Sequence, residues 1–307
     1  VELIKGAQVN EPFDAQKIFD GIIYGPLPQP QFLDDVQLID GATFSITMGY
    51  RPVRLDLYSP KDWDGEARPC IVYIHGGAFA FGTRKSWPPF MTGQDGFRKL
   101  ARAGFNVAAI EYRFSGEAIW PAQLHDVLDA IRWLQDRASD IGIDPAKIAL
   151  WGESAGGHLV AISGLRFNQN PGKYHPVAEV VDWYGPTDFN QMDAQAPANS
   201  PMPHDAPDSP ESKLIGAPIQ SVPELVADAN PCKFVTDNAP AFHIRHGVDD
   251  VLVPIGQSEI LIEQLNKHNI PVDFKSVPGG HVFDGHPDPM SIFQEGIDYL
   301  KQKFGVS

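Results

Sequence analysis

Four short stretches of this 307-residue chain carry residue types that together could perform nucleophilic catalysis. The first is Gly152-Glu153-Ser154-Ala155-Gly156, which fits the pattern G-x-S-x-G. A simple Gly-rich turn would show the same letters, but the flanks are more particular. The apolar run Lys147 to Trp151 (KIALW) precedes it, and a helix-like stretch (AGGHLVAISGL) follows. A serine on a sharp strand-to-helix turn stands exposed at the end of a sheet. Glycines on either side permit the tight turn. The amides at the helix start favour developing negative charge.

The second stretch, His75-Gly76-Gly77-Ala78-Phe79, follows the strand-like run CIVYI. Small residues there let backbone N–H groups approach a reacting carbonyl, so Gly77, Ala78 and, from the serine turn, Ala155 are the expected oxyanion donors. A strand-ending turn is the plainer alternative, and His75 reads as a structural hydrogen-bonding residue of that turn. The remaining stretches supply acid and base. His246-Gly247-Val248-Asp249-Asp250 follows the run AFHIR, and Pro278-Gly279-Gly280-His281-Val282-Phe283 follows VDFKSV. Nucleophile, acid, then histidine is the chain order of a serine triad on a parallel sheet. Of the ten histidines, His281 combines that order with a strand-end position. His125 and His158 fall in helical stretches and read as core or capping residues, and His204 falls in a loop. Asp249 and Asp250 could each orient the imidazole.

Residues that act together must be held by a common frame. Val53 to Tyr58 alternates apolar and polar residues, as a half-buried strand should. Residues 70–74, 105–110, 147–151, 178–183, 241–245 and 272–277 are short apolar runs bounded by turns, as strands buried on both faces would be. Between them, Leu124, Val127, Leu128, Ile131 and Leu134 recur at helical spacing, and residues 255–265 and 290–300 show the same stripe. The alternation predicts an α/β protein with a mostly parallel central sheet and helices on both faces. It also predicts a single domain over residues 1–307, an irregular N-terminal arm over 1–41 and a Pro-rich insert over 186–231. The insert leaves the carboxyl end of a strand, where ligands bind in open sheets, and is expected to form a lid or pocket wall.

The net charge of -15, with no run of Lys and Arg, argues against nucleic acid or an anionic membrane as partner. No stretch is apolar and long enough to span a bilayer. Cys70 and Cys232 form no disulfide framework or metal-binding spacing and read as free thiols. The expected partner is a small ester molecule. Assembly as a homo-oligomer stays open, as does localisation, which leans to the cytoplasm with secretion allowed if a signal segment has been removed.

In order, the pieces HGGAF, EYRFSGE…WPAQLHD, DPAKIALWGESAGGHL, WYGPTDF, HGVDDVLVP and PGGHVF resemble the α/β-hydrolase esterases of the hormone-sensitive-lipase type. The nearby branch of small bacterial acetyl and feruloyl-type esterases is included in that resemblance, which spans about Ile71 to Phe283. It implies Asp250, three residues past the His-Gly pair, as the acid beside Ser154 and His281. It also implies a serine carboxylic-ester hydrolase that uses an acyl-enzyme, no metal and no cofactor. HGGAF departs from the HGGG form, the residue after His281 is Val282 rather than glycine, and the Pro-rich insert has no counterpart. Phe79, Phe81, Trp87, Trp120 and Val282 are expected around the substrate, suiting a short-chain acyl or an aryl ester. An amidase or arylformamidase on the same residues is the alternative reaction, and a non-catalytic binding protein on a hydrolase scaffold is the alternative class.

Overall fold

The structure is a computed structural model that describes residues 25–61 and 66–307. Its nine strands are β1 (Gln31–Leu33), β2 (Val36–Ser45), β3 (Val53–Pro60), β4 (Arg68–Ile74), β5 (Asn106–Ile110), β6 (Ile143–Glu153), β7 (Glu179–Trp183), β8 (Ala241–Gly247) and β9 (Val272–Val277). They form one sheet in the order β1-β2-β3-β5-β4-β6-β7-β8-β9. The strands from β5 across to β9 pair in parallel, while β1, β2 and β3 add an antiparallel edge. The chain therefore runs from β4 to β5 on one side and crosses back to β6 on the other. The carboxyl ends of β4 and β6 flank a topological switch point, where open α/β sheets bind ligands.

The two-residue period of a strand explains why the apolar runs are continuous. Cys70, Val72 and Ile74 of β4 enter the core on one face, and Ile71 and Tyr73 enter the other. The first face is covered by α2 (Ala122–Asp136), α4 (Ala155–Gln169) and α8 (Gly256–Lys267). The second is covered by α1 (Gly96–Arg102) and α9 (Pro289–Phe304). A short α3 (Ala138–Ile141) leads into β6. On α2, Leu124, Val127, Ile131 and Leu134 are buried as the helical spacing requires, whereas His125 is exposed rather than part of the core.

Two sequence expectations need correction. The stretch up to Gly41 was expected to be irregular, but its described part holds β1 and most of β2. Val36 and Leu38 are buried against the second core face, and β2 pairs with β3. The Pro and Gly content hid a hairpin whose turn uses Asp34 at φ +47°. Residues 1–24 of the expected arm lie outside the described residues.

The Pro-rich stretch over 186–231, whose composition predicts a long irregular loop, instead carries helical structure. It forms α5 (Phe189–Gln195), α6 (Pro210–Ile215) and α7 (Pro223–Asp228). Pro210 and Pro223 open their helices, where a missing N–H costs no hydrogen bond. Leu214, Ile219 and Val226 are fully buried in the first core cluster. Burial of side chains of this size contributes about 1.5–3 kcal/mol each, which offsets the ordering of a segment with few regular hydrogen bonds. Cys70 and Cys232 are free thiols. Among the described residues, no helix is long and apolar enough to cross a membrane.

Candidate active site

β6 ends in the serine turn. Ser154 has φ +55° and ψ -121°, a conformation that non-glycine residues rarely adopt. Its N–H donates to the Trp183 carbonyl at 2.9 Å, which locks the turn to the end of β7. Gly156 lies so close to β4 that a Cβ there would overlap the Ile74 carbonyl oxygen. The glycine after the serine is therefore a packing requirement of the turn.

His281 follows β9, and its ring connects the two other predicted residues. Nε2 lies 2.9 Å from Ser154 Oγ, and Nδ1 lies 2.7 Å from Asp250 Oδ2. A carboxylate can only accept, so Nδ1 carries the proton and donates to Asp250. Nε2 is then the acceptor for the serine hydroxyl. Asp250 is fully buried, with Oδ1 accepting from the N–H groups of Leu252 and Val253 at 2.9 Å each. Burial alone would raise its pKa. The hydrogen bonds of His246 and His281 outweigh that and hold the carboxyl well below the usual carboxylate range. Asp249 takes no part in this contact.

Two supporting residues went unnoticed in the sequence. His246 is buried, donates from Nε2 to the Val253 carbonyl at 2.8 Å and lies 3.4 Å from Asp250 Oδ2, while Nδ1 sits 2.7 Å from Ser258 Oγ. It ties the Asp250 loop to α8. Tyr184 packs its ring edge-on to His281 with centroids 4.9 Å apart. His246 opens the His-Gly pair before the acid, and Tyr184 lies in WYGPTDF, so both sat inside quoted motifs without a signal of their own.

The turn after β4 has positive φ at three consecutive residues, +110° at Gly77, +53° at Ala78 and +58° at Phe79. Only the first is a glycine. Strain of about 1–3 kcal/mol attends each such non-glycine residue, which persists only where its surroundings impose it. Here the Gly77 carbonyl accepts from Ala80 and Phe81, and Gly76 N–H donates to Glu153 Oε1 at 2.6 Å. Glu153 is buried beneath the turn, and burial raises its pKa to about 8 despite the Gly76 bond. His75 is buried, stacks on Tyr112, and lies with Nδ1 2.7 Å from the Gly76 carbonyl oxygen. Burial lowers its pKa to about 4. The N–H groups of Gly77, Ala78 and Ala155 have no acceptor among the described residues, and Ala155 is the first residue of α4.

These groups open on a cavity of about 550 Å³. Phe79, Phe81, Trp87 and Val282 line it. Trp120 does not. It is buried, donates from Nε1 to Asp228 at 2.8 Å and packs edge-on to His158, so it anchors α7 to the body instead. The insert supplies wall residues that the sequence did not single out, Met202, His204 and Glu211 among them. Only the departure of this segment from the end of β7 pointed toward them.

A parallel sheet crossed by helices on both faces, with a strained serine turn at the switch point, defines the α/β-hydrolase fold. The chain belongs to the BD-FAE family, whose model matches residues 55–265. It is 32% identical over 239 residues to esterase LipC of Mycobacterium tuberculosis, an alignment that covers 75% of this chain and 57% of that protein. The chain thus spans a little over half the length of that curated relative. Among solved structures, it is similar to a truncated carbohydrate esterase from gut microbiota, with a TM-score of 0.68 and 32% identity over 82% of this chain and 91% of that one. A bacterial heroin esterase shares the fold at 22% identity, with a TM-score of 0.74 over 94% of this chain and 90% of that one.

Proposed function

We propose that the protein is a serine carboxylic-ester hydrolase acting on short-chain acyl or aryl esters through an acyl-enzyme. The observation that carries this reading is the pair of contacts made by His281, one to Ser154 Oγ and one to Asp250. Relatives named as esterases support it.

In this reading, His281 Nε2 takes the Ser154 proton as Oγ attacks the ester carbonyl. The tetrahedral oxyanion is held by the N–H groups of Gly77, Ala78 and Ala155. Asp250 stabilises the imidazolium, which then protonates the leaving alcohol. Water enters, gives its proton to the same nitrogen and releases the acid. The chain over 1–307 acts as one catalytic domain, with 186–231 as a cap over the pocket.

The test is turnover of p-nitrophenyl acetate and butyrate by the protein and by Ser154→Ala. A loss of about a million-fold is expected, the size seen when the nucleophile of such a triad is removed. Equal turnover by the two proteins would overturn the reading. Matched anilides in the same assay separate ester from amide hydrolysis.

A further inference from the structure

Ser154, Asp250 and His281 leave unused a second polar pair that lines the same cavity. His204 and Glu211 come from the insert, and each is buried, at 4% and 5% exposed. His204 Nδ1 lies 3.2 Å from Glu211 Oε1, so the imidazole donates to the carboxylate. The segment holds this pair in place from both ends. Asp193 accepts from the N–H groups of His204 and Asp205, at 2.6 and 2.9 Å. Ser209 Oγ donates to the His204 carbonyl at 2.6 Å and caps α6 by accepting from Ser212 N–H, which places Glu211 in the first turn of that helix.

Two atoms remain. Neither His204 Nε2 nor Glu211 Oε2 has a hydrogen-bond partner among the described residues. A polar atom left unpaired in a buried setting is costly, and such cases call for a ligand or a role. Although burial opposes charge on His204, Glu211 and Asp193 raise its pKa above the ordinary histidine value. With Nδ1 donating to Glu211, His204 Nε2 and Glu211 Oε2 are the two open hydrogen-bonding positions of the pair. A hydroxyl group is at once acceptor and donor, so it matches the pair in a way that a hydrocarbon does not. The surrounding wall, including Phe79, Trp87, Met202 and Val282, is apolar and would accept either.

We propose that His204 and Glu211 form a polar subsite for a hydroxyl group of the substrate, making the protein selective for hydroxylated esters over their hydrocarbon counterparts. This rests on the ester-hydrolase reading above. Two matched pairs test it, with kcat/KM as the readout: butyl butyrate against 2,3-dihydroxypropyl butyrate, and ethyl butyrate against ethyl 3-hydroxybutyrate. The first pair places hydroxyls on the alcohol side and the second on the acyl side.

The expected result is a preference of about tenfold or more for the hydroxylated member of at least one pair, since a site built for a hydroxyl discriminates against analogues that lack it. In His204→Phe and Glu211→Leu the hydroxylated member should lose at least about tenfold more than its twin, mainly through KM, and the preference should collapse toward one. Glu211→Gln, which keeps size and one acceptor, should retain part of it and serves if the other variants fail to fold. Equal kcat/KM within both pairs overturns the inference, as does a preference that survives the variants or a parallel loss on both members. Turnover of the hydrocarbon members tests the hydrolase reading separately, because it does not depend on the subsite.

Discussion

The loops that end β6, β8 and β9 and the segment over 186–231 face one cavity, but they are held in different ways. Each loop of the first group is only a few residues past a strand of the sheet, and each key residue is held by at least two partners. Ser154 is strained and bonded to Trp183, Asp250 is bonded to two backbone amides, and His281 spans the two. The insert has no strand. Its helices of six or seven residues are stabilised by buried apolar side chains and by side-chain-to-backbone bonds such as those of Asp193 and Ser209. In the proposed hydrolase reading, the reaction chemistry sits on the rigid sheet, where sub-ångström placement is cheapest to maintain. With the proposed subsite, selection among substrates falls to the segment that can change without disturbing the sheet.

Asp250→Asn should break the first region most sharply. The N–H groups of Leu252 and Val253 require an oxygen at the Oδ1 position, so the amide NH₂ would face His281 Nδ1. That moves the imidazole proton to Nε2, opposite the serine hydroxyl. The expected loss in kcat is about ten-thousandfold with the fold intact, the size seen for this change in other serine triads. Single-turnover kinetics alongside circular dichroism would check it, and near-normal kcat would show that the Asp250 contact does not control the tautomer.

Asp193→Ala sharpens the comparison from the other side. It frees the backbone at His204 and Asp205 without touching the triad. A rise in KM of about tenfold with a change in kcat of less than about threefold is expected for the hydroxylated ester that the protein prefers, the mark of lost binding rather than lost chemistry. A fall in kcat with KM unchanged would place the insert in the chemical step instead.

The smallest effect concerns stability. Burial raises Glu153 to about 8, whereas an unfolded glutamate titrates near 4.3. Between those values the native state keeps a proton that the unfolded chain has released, so stability falls as pH rises through that window. His75 and His158, lowered to about 4 by burial, work in the opposite sense and cost stability as pH falls from about 6.5 toward 4. The histidine contributions are common to both proteins and cancel in the comparison, and Glu153→Gln keeps an acceptor for Gly76 N–H. The variant should therefore escape a decline on the order of 2 kcal/mol between pH 6.5 and 8. Thermal melts of both proteins across that range would show it, and parallel curves would mean that Glu153 does not titrate there.

Much of the first region was legible because its signals are local. Gly152 to Gly156 reads as a strand-to-helix turn from its immediate neighbours, and the apolar runs at 70–74, 147–151 and 241–245 mark strands through their own composition. The N-terminal hairpin was missed because Pro and Gly around Gln31 to Gly41 mask the alternation of Val36 and Leu38, whose burial is supplied by partners such as Phe97 and Leu100, far along the chain. Trp120 was misplaced for a related reason. Its nearness in sequence to the α2 start says nothing of Asp228, the residue that its indole finds more than a hundred positions later.

What the sequence determined by itself was therefore whatever short-range spacing can encode: the alternation of strands and helices, the serine turn, and the order of serine, acid and histidine. The family resemblance already implied Asp250 over Asp249, but the part of His246 and the presence of His204 and Glu211 in the pocket wall were decided only in three dimensions. Each depends on which distant backbone groups meet a side chain after the sheet has closed, and no local pattern records the contacts that long-range packing creates.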